Sequence, residues 1–331
     1  MLGRVQFGIM QIENQNMYKL IRFRLIGFIL LIVPNLVLAQ GDGPRSYLLG
    51  PVNLFGVTPK YLDLNQNLVP AGTIYLEDSD INVNVFPTTL FYNFKLNGNF
   101  AQVQFMINPG SANGFLVADN GVTLSGLENS GFSDGFVAIK YGLVGTTALS
   151  IQEFATKSPG FSLVGYLRLW YSGSYDENDL LNLGTNRWTI EFGPQISFPL
   201  SKKTKRPIWV ESYPYVQFFT VNSDPTALVS GNEVTQKPVF GAQNHITYNF
   251  TKKFWAGIDI NFRIGGESKV DGVAQDNPIN ALGGGLSAGY QILPFLQVNT
   301  SYGEILAGDS GLNARMFRLG MVLVYAKSKK Q

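Results

Sequence analysis

Residues 252–266 read KKFWAGIDINFRIGG. In an extended chain Phe254, Ala256, Ile258, Ile260, Phe262 and Ile264 fall on one side, and Trp255, Gly257, Asp259, Asn261, Arg263 and Gly265 on the other. A carboxylate, an amide and a guanidinium thus share a strand face whose reverse is wholly apolar. In a membrane barrel the oily face meets lipid and the polar face a lumen. The remaining sequence tests whether that architecture applies throughout.

Composition agrees with it. Charged residues make up 15% of the 331-residue chain, against about 25% in ordinary soluble domains, and glycine is enriched at 36 residues. No second long apolar run accompanies this low charge, so the hydrophobicity is spread in period two along strands. The first 39 residues read as a secretory leader: a basic stretch at 18–24, an apolar run at 25–33, and Val37-Leu38-Ala39 before Gln40. The apolar run is shorter than the roughly 20 residues of a spanning helix. Met17 is the more ordinary start, in which case residues 1–16 are not translated. Residues 40–331 then form one domain.

The leader holds four of the 25 basic and one of the 23 acidic side chains, so the remainder is close to neutral. That balance argues against a nucleic-acid partner, which needs a basic surface. With no cysteine, disulfides and an N-terminal lipid-modified Cys are excluded.

Alternation and turn signals predict twelve strands: 54–65, 81–96, 99–108, 133–145, 160–172, 186–199, 208–221, 237–250, 254–265, 280–291, 295–304 and 314–326. Most exceed the roughly 9–11 residues that cross a bilayer at a tilt. Asn97-Gly98, 201–207, 251–253 and 292–294 are short joints, whereas 66–80, 109–132, 173–185, 222–236, 266–279 and 305–313 are long and polar. This rhythm is that of an antiparallel transmembrane β-barrel in a bacterial outer membrane with a periplasmic N-terminus. Segment 146–159 breaks it, and is expected to hold a short interfacial helix.

Lys202, Lys203, Lys205, Arg206, Lys252, Lys253, Lys327, Lys329 and Lys330 gather at the short-turn end, suited to anionic lipid headgroups. Phe94, Phe198, Trp209, Tyr248, Phe250, Phe254 and Phe295 flank the same turns as an aromatic girdle. Outer-membrane lipid is therefore one expected partner.

Parity places Asp259 and Arg263 in the lumen, with Arg187 and Glu191 on the 186–199 strand, Arg168 on 160–172, Glu211 on 208–221 and His245 on 237–250. Facing lipid, each midplane Arg or Lys would cost about 2–4 kcal/mol. Arg187, Glu191, Asp259 and Arg263 are the leading candidates for pore-lining residues, joined by Arg168, His245 and Glu211. Two readings fit them: ion-paired filler closing a narrow barrel, or a polar and aromatic path for a solute.

Other chemistry finds little support. Gly285-Leu-Ser-Ala-Gly289 matches the nucleophile-elbow pattern, but Ser287 sits inside a glycine-rich strand and the sole histidine, His245, precedes it. One His and no Cys give a transition metal almost no ligands. The acidic run 175–182, YDENDLLN, lacks the ordered spacing of a calcium loop. No catalytic residue, cofactor or metal is expected.

Four stretches carry a resemblance: GDGPRSYLLGPVN (41–53), DSDINVNVFPTTLFYNF (78–94), LLNLGTNRWTIEFGPQISFPL (180–200) and VDGVAQDNPIN (270–280). The chain resembles the outer-membrane family called "meta-pathway of phenol degradation" over about 41–326. The resemblance implies a transporter barrel for hydrophobic compounds, with no catalytic residues to carry over. Barrels usually end on an aromatic residue read by the barrel assembly machinery, a further expected partner. Here Tyr325 is followed by Ala-Lys-Ser-Lys-Lys-Gln. The expected function is passive uptake of small hydrophobic or aromatic solutes. The alternatives are a surface anchor or adhesin with a closed lumen, and a lipid-hydrolysing barrel using Ser287 and His245.

Overall fold

The structure is a computed structural model that describes residues 41–67, 76, 78–117, 121–200, 207–309 and 312–326. The expected leader, the turn cations Lys202, Lys203, Lys205 and Arg206, and the tail cations Lys327, Lys329 and Lys330 lie outside the described residues. In chain order the strands are β1 (Leu54–Gln66), β2 (Asp80–Val85), β3 (Thr88–Leu96), β4 (Asn99–Ile107), β5 (Pro109–Val117), β6 (Thr123–Phe132) and β7 (Gly135–Val144). After the helix α1 (Ile151–Thr156) come β8 (Ser162–Tyr171), β9 (Thr189–Pro199), β10 (Ile208–Phe219), β11 (Val234–Gln236), β12 (Val239–Asn249) and β13 (Phe254–Gly265). β14 (Ser268–Val270), β15 (Val273–Ala274), β16 (Ile279–Leu293), β17 (Leu296–Gly308) and β18 (Ala314–Ala326) complete the chain.

Twelve of these close an antiparallel barrel in the order β18-β17-β16-β13-β12-β10-β9-β8-β7-β4-β3-β1. β18 pairs back onto β1 from Leu54↔Ala326 to Gln66↔Ala314, so the barrel has no free edge. Asn97 and Gly98 both take positive φ, 48° and 85°, as the two-residue turn between β3 and β4 requires. At the short turn between β12 and β13 Thr251 Oγ1 accepts from Lys253 N and Phe254 N at 3.1 and 2.8 Å. These local bonds let a strand reverse without leaving amides unpaired.

Three expectations need correction. The strand expected over 81–96 is broken at Phe86-Pro87 into β2 and β3, because Pro87 has no N–H to give the ladder. Residues 109–132, expected as a loop, form most of the hairpin β5–β6, which pairs through β2 to the upper half of β1. Loops 222–236 and 266–279 are partly ordered as a small sheet, β11-β14-β15. The expected helix in 146–159 is present as α1. Ser150 caps it, its Oγ accepting from Glu153 N at 3.3 Å while Glu153 Oε2 accepts from Ser150 N at 2.7 Å.

The extension β2-β5-β6 reverses the polarity of the barrel below it. On β3, β4 and β7 the outward residues are apolar, among them Leu90, Tyr92, Val103, Phe105, Ile107, Val137 and Ile139, all exposed. On the extension Ile81, Val83, Val85, Ala112 and Leu116 turn inward and are buried, while Asn82, Asn84, Ser111, Asn113, Glu128 and Ser130 face out. Apolar-out suits lipid and apolar-in suits water. The hydrocarbon boundary on this side therefore runs near Phe86-Pro87, Asn108 and Ser133.

That boundary is measurable. Ile258 is 52% exposed on the outward face of β13, so Ile258→Arg is expected to lower stability in lipid vesicles by about 2–4 kcal/mol. Asn82→Arg, on the outward face of the extension, is expected to change it by less than about 0.5 kcal/mol. Urea titration of the two variants tests this; equal losses would place the extension inside the bilayer.

Candidate functional site

At mid-height the inward faces of the strands meet another part of the chain. Residues 41–53, which precede β1, fold into the lumen, and Tyr47 is 2% exposed there. Three turns in this segment need positive φ: Gly43 at 87°, Arg45 at 66° and Asn53 at 57°. A Cβ at Gly43 would collide with the Arg318 guanidinium, so glycine is what lets the backbone approach that side chain.

Wall carboxylates and amides take the segment's N–H groups. Glu211 accepts from Arg45 N at 2.8 Å through Oε1 and from Tyr47 N at 3.0 Å through Oε2. Gln243 Oε1 accepts from Asp42 N at 2.9 Å and from the Tyr47 hydroxyl at 2.5 Å. Wall cations take the carbonyls: Lys60 Nζ donates to Asp42 O at 3.3 Å, Lys140 Nζ to Ser46 O at 3.0 Å and Arg318 Nη1 to Gly41 O at 3.2 Å. The Arg45 guanidinium reaches the Thr247 hydroxyl and the Asn249 carbonyl.

Arg168 is the ionic centre. Its Nη2 donates to both oxygens of Asp42 at 2.7 and 2.8 Å, and Nη1 stands 3.2 Å from Glu191 Oε1. The guanidinium also lies against the rings of Phe136, Tyr166 and Trp170, 4.5, 4.7 and 5.0 Å from their centroids. Glu191 is further bonded by the Tyr213 hydroxyl at 2.9 Å and Gln217 Nε2 at 2.7 Å. Arg168, Asp42 and Glu191 thereby each have an opposite charge beside them, the condition under which a buried charge is tolerated.

A second row crosses three neighbouring strands, Glu211 opposite His245 and His245 opposite Asp259. His245 Nδ1 and Asp259 Oδ1 are 2.6 Å apart, and the Tyr47 ring packs 5.6 Å from the imidazole. Tyr47, Tyr166, Tyr213 and Tyr215 form one buried aromatic cluster beside it.

The residues expected in the lumen thus occupy separate places. Arg168 and Glu191 meet, as do Glu211, His245 and Asp259. Arg263 is opposite Gly241 and reaches Gln217 at 3.5 Å instead of Asp259. Arg187 precedes β9 and packs 4.6 Å from the Phe219 ring. Burial pulls its guanidinium down to about 10, with Asp134 holding it up. Sequence reasoning missed the lumenal segment altogether. The available signal was thirteen residues, rich in Gly and Pro and without period-two alternation, ahead of the first strand. The hydrolase arrangement is not formed: Ser287 lies in the middle of β16, where no strand-to-helix turn presents it, and no hydrogen bond joins its Oγ to His245 Nε2.

No curated protein matches the sequence. Among solved structures, an outer membrane channel from Pseudomonas putida F1 is similar with a TM-score of 0.69 and 20% identity, over 86% of this chain and 100% of that one. The β domain of a Bordetella autotransporter aligns at a TM-score of 0.47 and 10% identity, over 82% of this chain and 99% of that one. The first likeness is one of fold, an outer-membrane barrel. The family model described as "MetA-pathway of phenol degradation" matches residues 73–310, and the chain belongs to that family.

Proposed function

We propose that the chain admits small hydrophobic or aromatic solutes across the outer membrane by passive passage, with its short-turn end in the periplasm and residues 41–53 as a releasable plug. The observation that carries this reading is how residues 41–47 are held. Their bonds to the wall run through wall or segment side chains, from Glu211, Gln243, Lys60, Lys140, Arg168 and Arg318. The plug adds no strand to the sheet, so it can withdraw while every ladder bond of the barrel stays in place. Among the described residues, backbone-to-backbone bonds from the segment to the rest of the chain begin only at Val52 and Asn53, to Leu149 O and Asn93 O at 2.9 and 2.8 Å, so residues 41–47, held through side chains, are the part suited to be let go.

Family membership supports the solute class, and the outward apolar surface supports the location. In this reading Arg168, Glu191, Glu211, His245 and Asp259 act first on the plug and only then on a solute, while Arg187 and Arg263 line the approach from the long-loop end. A closed surface anchor is the second reading, favoured by the filled lumen and the ordered sheet β11-β14-β15 at the loop end.

Conductance separates the two. In planar bilayers residues 40–331 are expected to show a low, intermittent conductance. Glu211→Gln weakens two charge-assisted bonds, and losing about 3 kcal/mol of anchoring raises the unplugged fraction roughly a hundredfold. Frequent openings are therefore expected from Glu211→Gln and Asp42→Asn, and continuous ones from a chain lacking 41–50. Silence from all three folded variants would favour the anchor.

Solute uptake gives the complementary test. Cells expressing the wild-type chain are expected to take up the apolar aromatic dye N-phenyl-1-naphthylamine faster than cells without it, and Asp42→Asn faster still. Equal rates in all three would defeat the uptake reading.

A further inference from the structure

The long-loop end of the barrel carries a second closure, unlike the plug in chemistry. Residues 172–188 leave β8, turn inward and return to β9. Leu181 and Leu183, at the inward tip, are 3% and 1% exposed. They pack with Leu64, Ile81, Val83 and Met316 on the inner faces of β1, β2 and β18. Among the described residues every member of this cluster is aliphatic, whereas the buried tyrosines gather separately around the plug.

The loop is closed on itself. Asn182, fully buried between the two leucines, accepts from Asp176 N at 2.8 Å and donates to Asp176 O and Asp179 O at 2.8 and 3.1 Å. Gly184 N donates to Ser174 O at 2.9 Å. These internal bonds survive a movement of the loop; what a movement gives up on this side is Ala227 N to Glu177 O at 3.2 Å and the Tyr175 hydroxyl to Asp224 O at 2.7 Å. Asp134, between β6 and β7, secures both feet: it accepts from Gly173 N and Thr185 N at 3.0 Å each and from the Thr185 hydroxyl at 2.6 Å. At the tip the tie to the barrel wall is the Asn129 amide, which donates to Leu181 O at 2.8 Å and Asp179 Oδ2 at 3.0 Å. Firm feet, a largely self-bonded body with two bonds to residues 224 and 227, and a tip held by aliphatic contact plus one amide are the parts of a hinged lid.

We infer that loop 172–188 is a lid, and that Leu181 and Leu183 occupy a binding site for a linear aliphatic chain, which enters by displacing them. The inference rests on the uptake reading above and narrows the solute at this site. An all-aliphatic lining offers a planar ring no aromatic partner, and the site's own occupants are two isobutyl groups. An alkyl chain of roughly eight carbons buries about as much apolar surface as the two leucines give up. The exchange is then close to balanced, which is the condition for a lid that opens to ligand and recloses behind it.

The absence of cysteine makes the test direct. Leu183→Cys reports from the lid and Leu64→Cys from the wall beneath it, each in the full chain refolded in lipid vesicles and treated with a water-soluble maleimide. Saturating 1-octanol is expected to speed labelling of Leu183→Cys at least fivefold and to leave Leu64→Cys no faster, since the chain covers the wall. The aromatic alcohol 2-phenylethanol is expected to do neither. Leu181→Cys is a second reporter on the same lid, should Leu183→Cys fail to fold. Parallel acceleration of lid and wall, which would mean general loosening of the barrel, overturns the inference, as does no change at either. Opposite responses of lid and wall from a chain that supports no dye uptake would uphold the lid and remove the transport reading.

Discussion

Inside hydrocarbon a backbone amide has no water to bond, so the pairing of β18 with β1 is the contact on which the rest of the molecule depends. Once the sheet is closed, each strand has one face to lipid and one to the lumen, and parity decides every side chain's environment. Ile258, Ile260 and Phe262 can then be apolar only because Asp259, Asn261 and Arg263 have somewhere else to go. The cost of placing a charge on the wrong face, about 2–4 kcal/mol at the midplane, exceeds what one contact usually returns. Register is consequently fixed along the whole barrel, and with it the set of groups that must find partners inside.

The constraint operates in reverse above the membrane. Beyond Phe86-Pro87 the same chain, with the same alternation, places Ile81, Val83 and Val85 inward and Asn82 and Asn84 outward. Water now satisfies the outer face, so the inner one must be apolar and must be covered. Loop 172–188 supplies Leu181 and Leu183 as that cover. The polar middle and the aliphatic mouth of the lumen are thus two results of one rule applied on either side of the hydrocarbon boundary.

This explains which features were legible in the sequence. The twelve barrel strands could be read because a lipid-facing strand keeps its period-two apolar signal unbroken, as in 254–264. The hairpin β5–β6 could not, since its outward Ser111, Asn113, Glu128 and Ser130 look like loop residues and the inward Ala112, Gly114 and Leu116 give a weak counter-signal. Parity likewise placed Arg168, Glu191, Glu211, His245 and Asp259 in the lumen without naming their partners. Arg168 meets Asp42 across 126 positions and Glu211 meets Tyr47 across 164. Alternation holds no information about contacts of that range.

The chemistry of those long-range contacts also settles which plug residues matter. Glu211 bonds the N–H groups of residues 45 and 47, while Lys60, Lys140 and Arg318 bond the carbonyls of 42, 46 and 41. These bonds recognise the path of a backbone and are indifferent to most side chains along it. Side-chain identity enters at few points: Gly43, where a Cβ would meet Arg318; Asp42, which balances Arg168; and Tyr47, which fills the space between His245 and Tyr213. Arg168 keeps Glu191 as a neighbour when the plug is gone, and His245 keeps Asp259. These four charges therefore retain a partner in either state, which lowers the cost of withdrawal, whereas Glu211, Lys140 and Arg318 give up the bonds they make to the segment's backbone. A wall that keeps two ion pairs of its own, and that reads backbone more than side chain, can hold a segment firmly and still let it go.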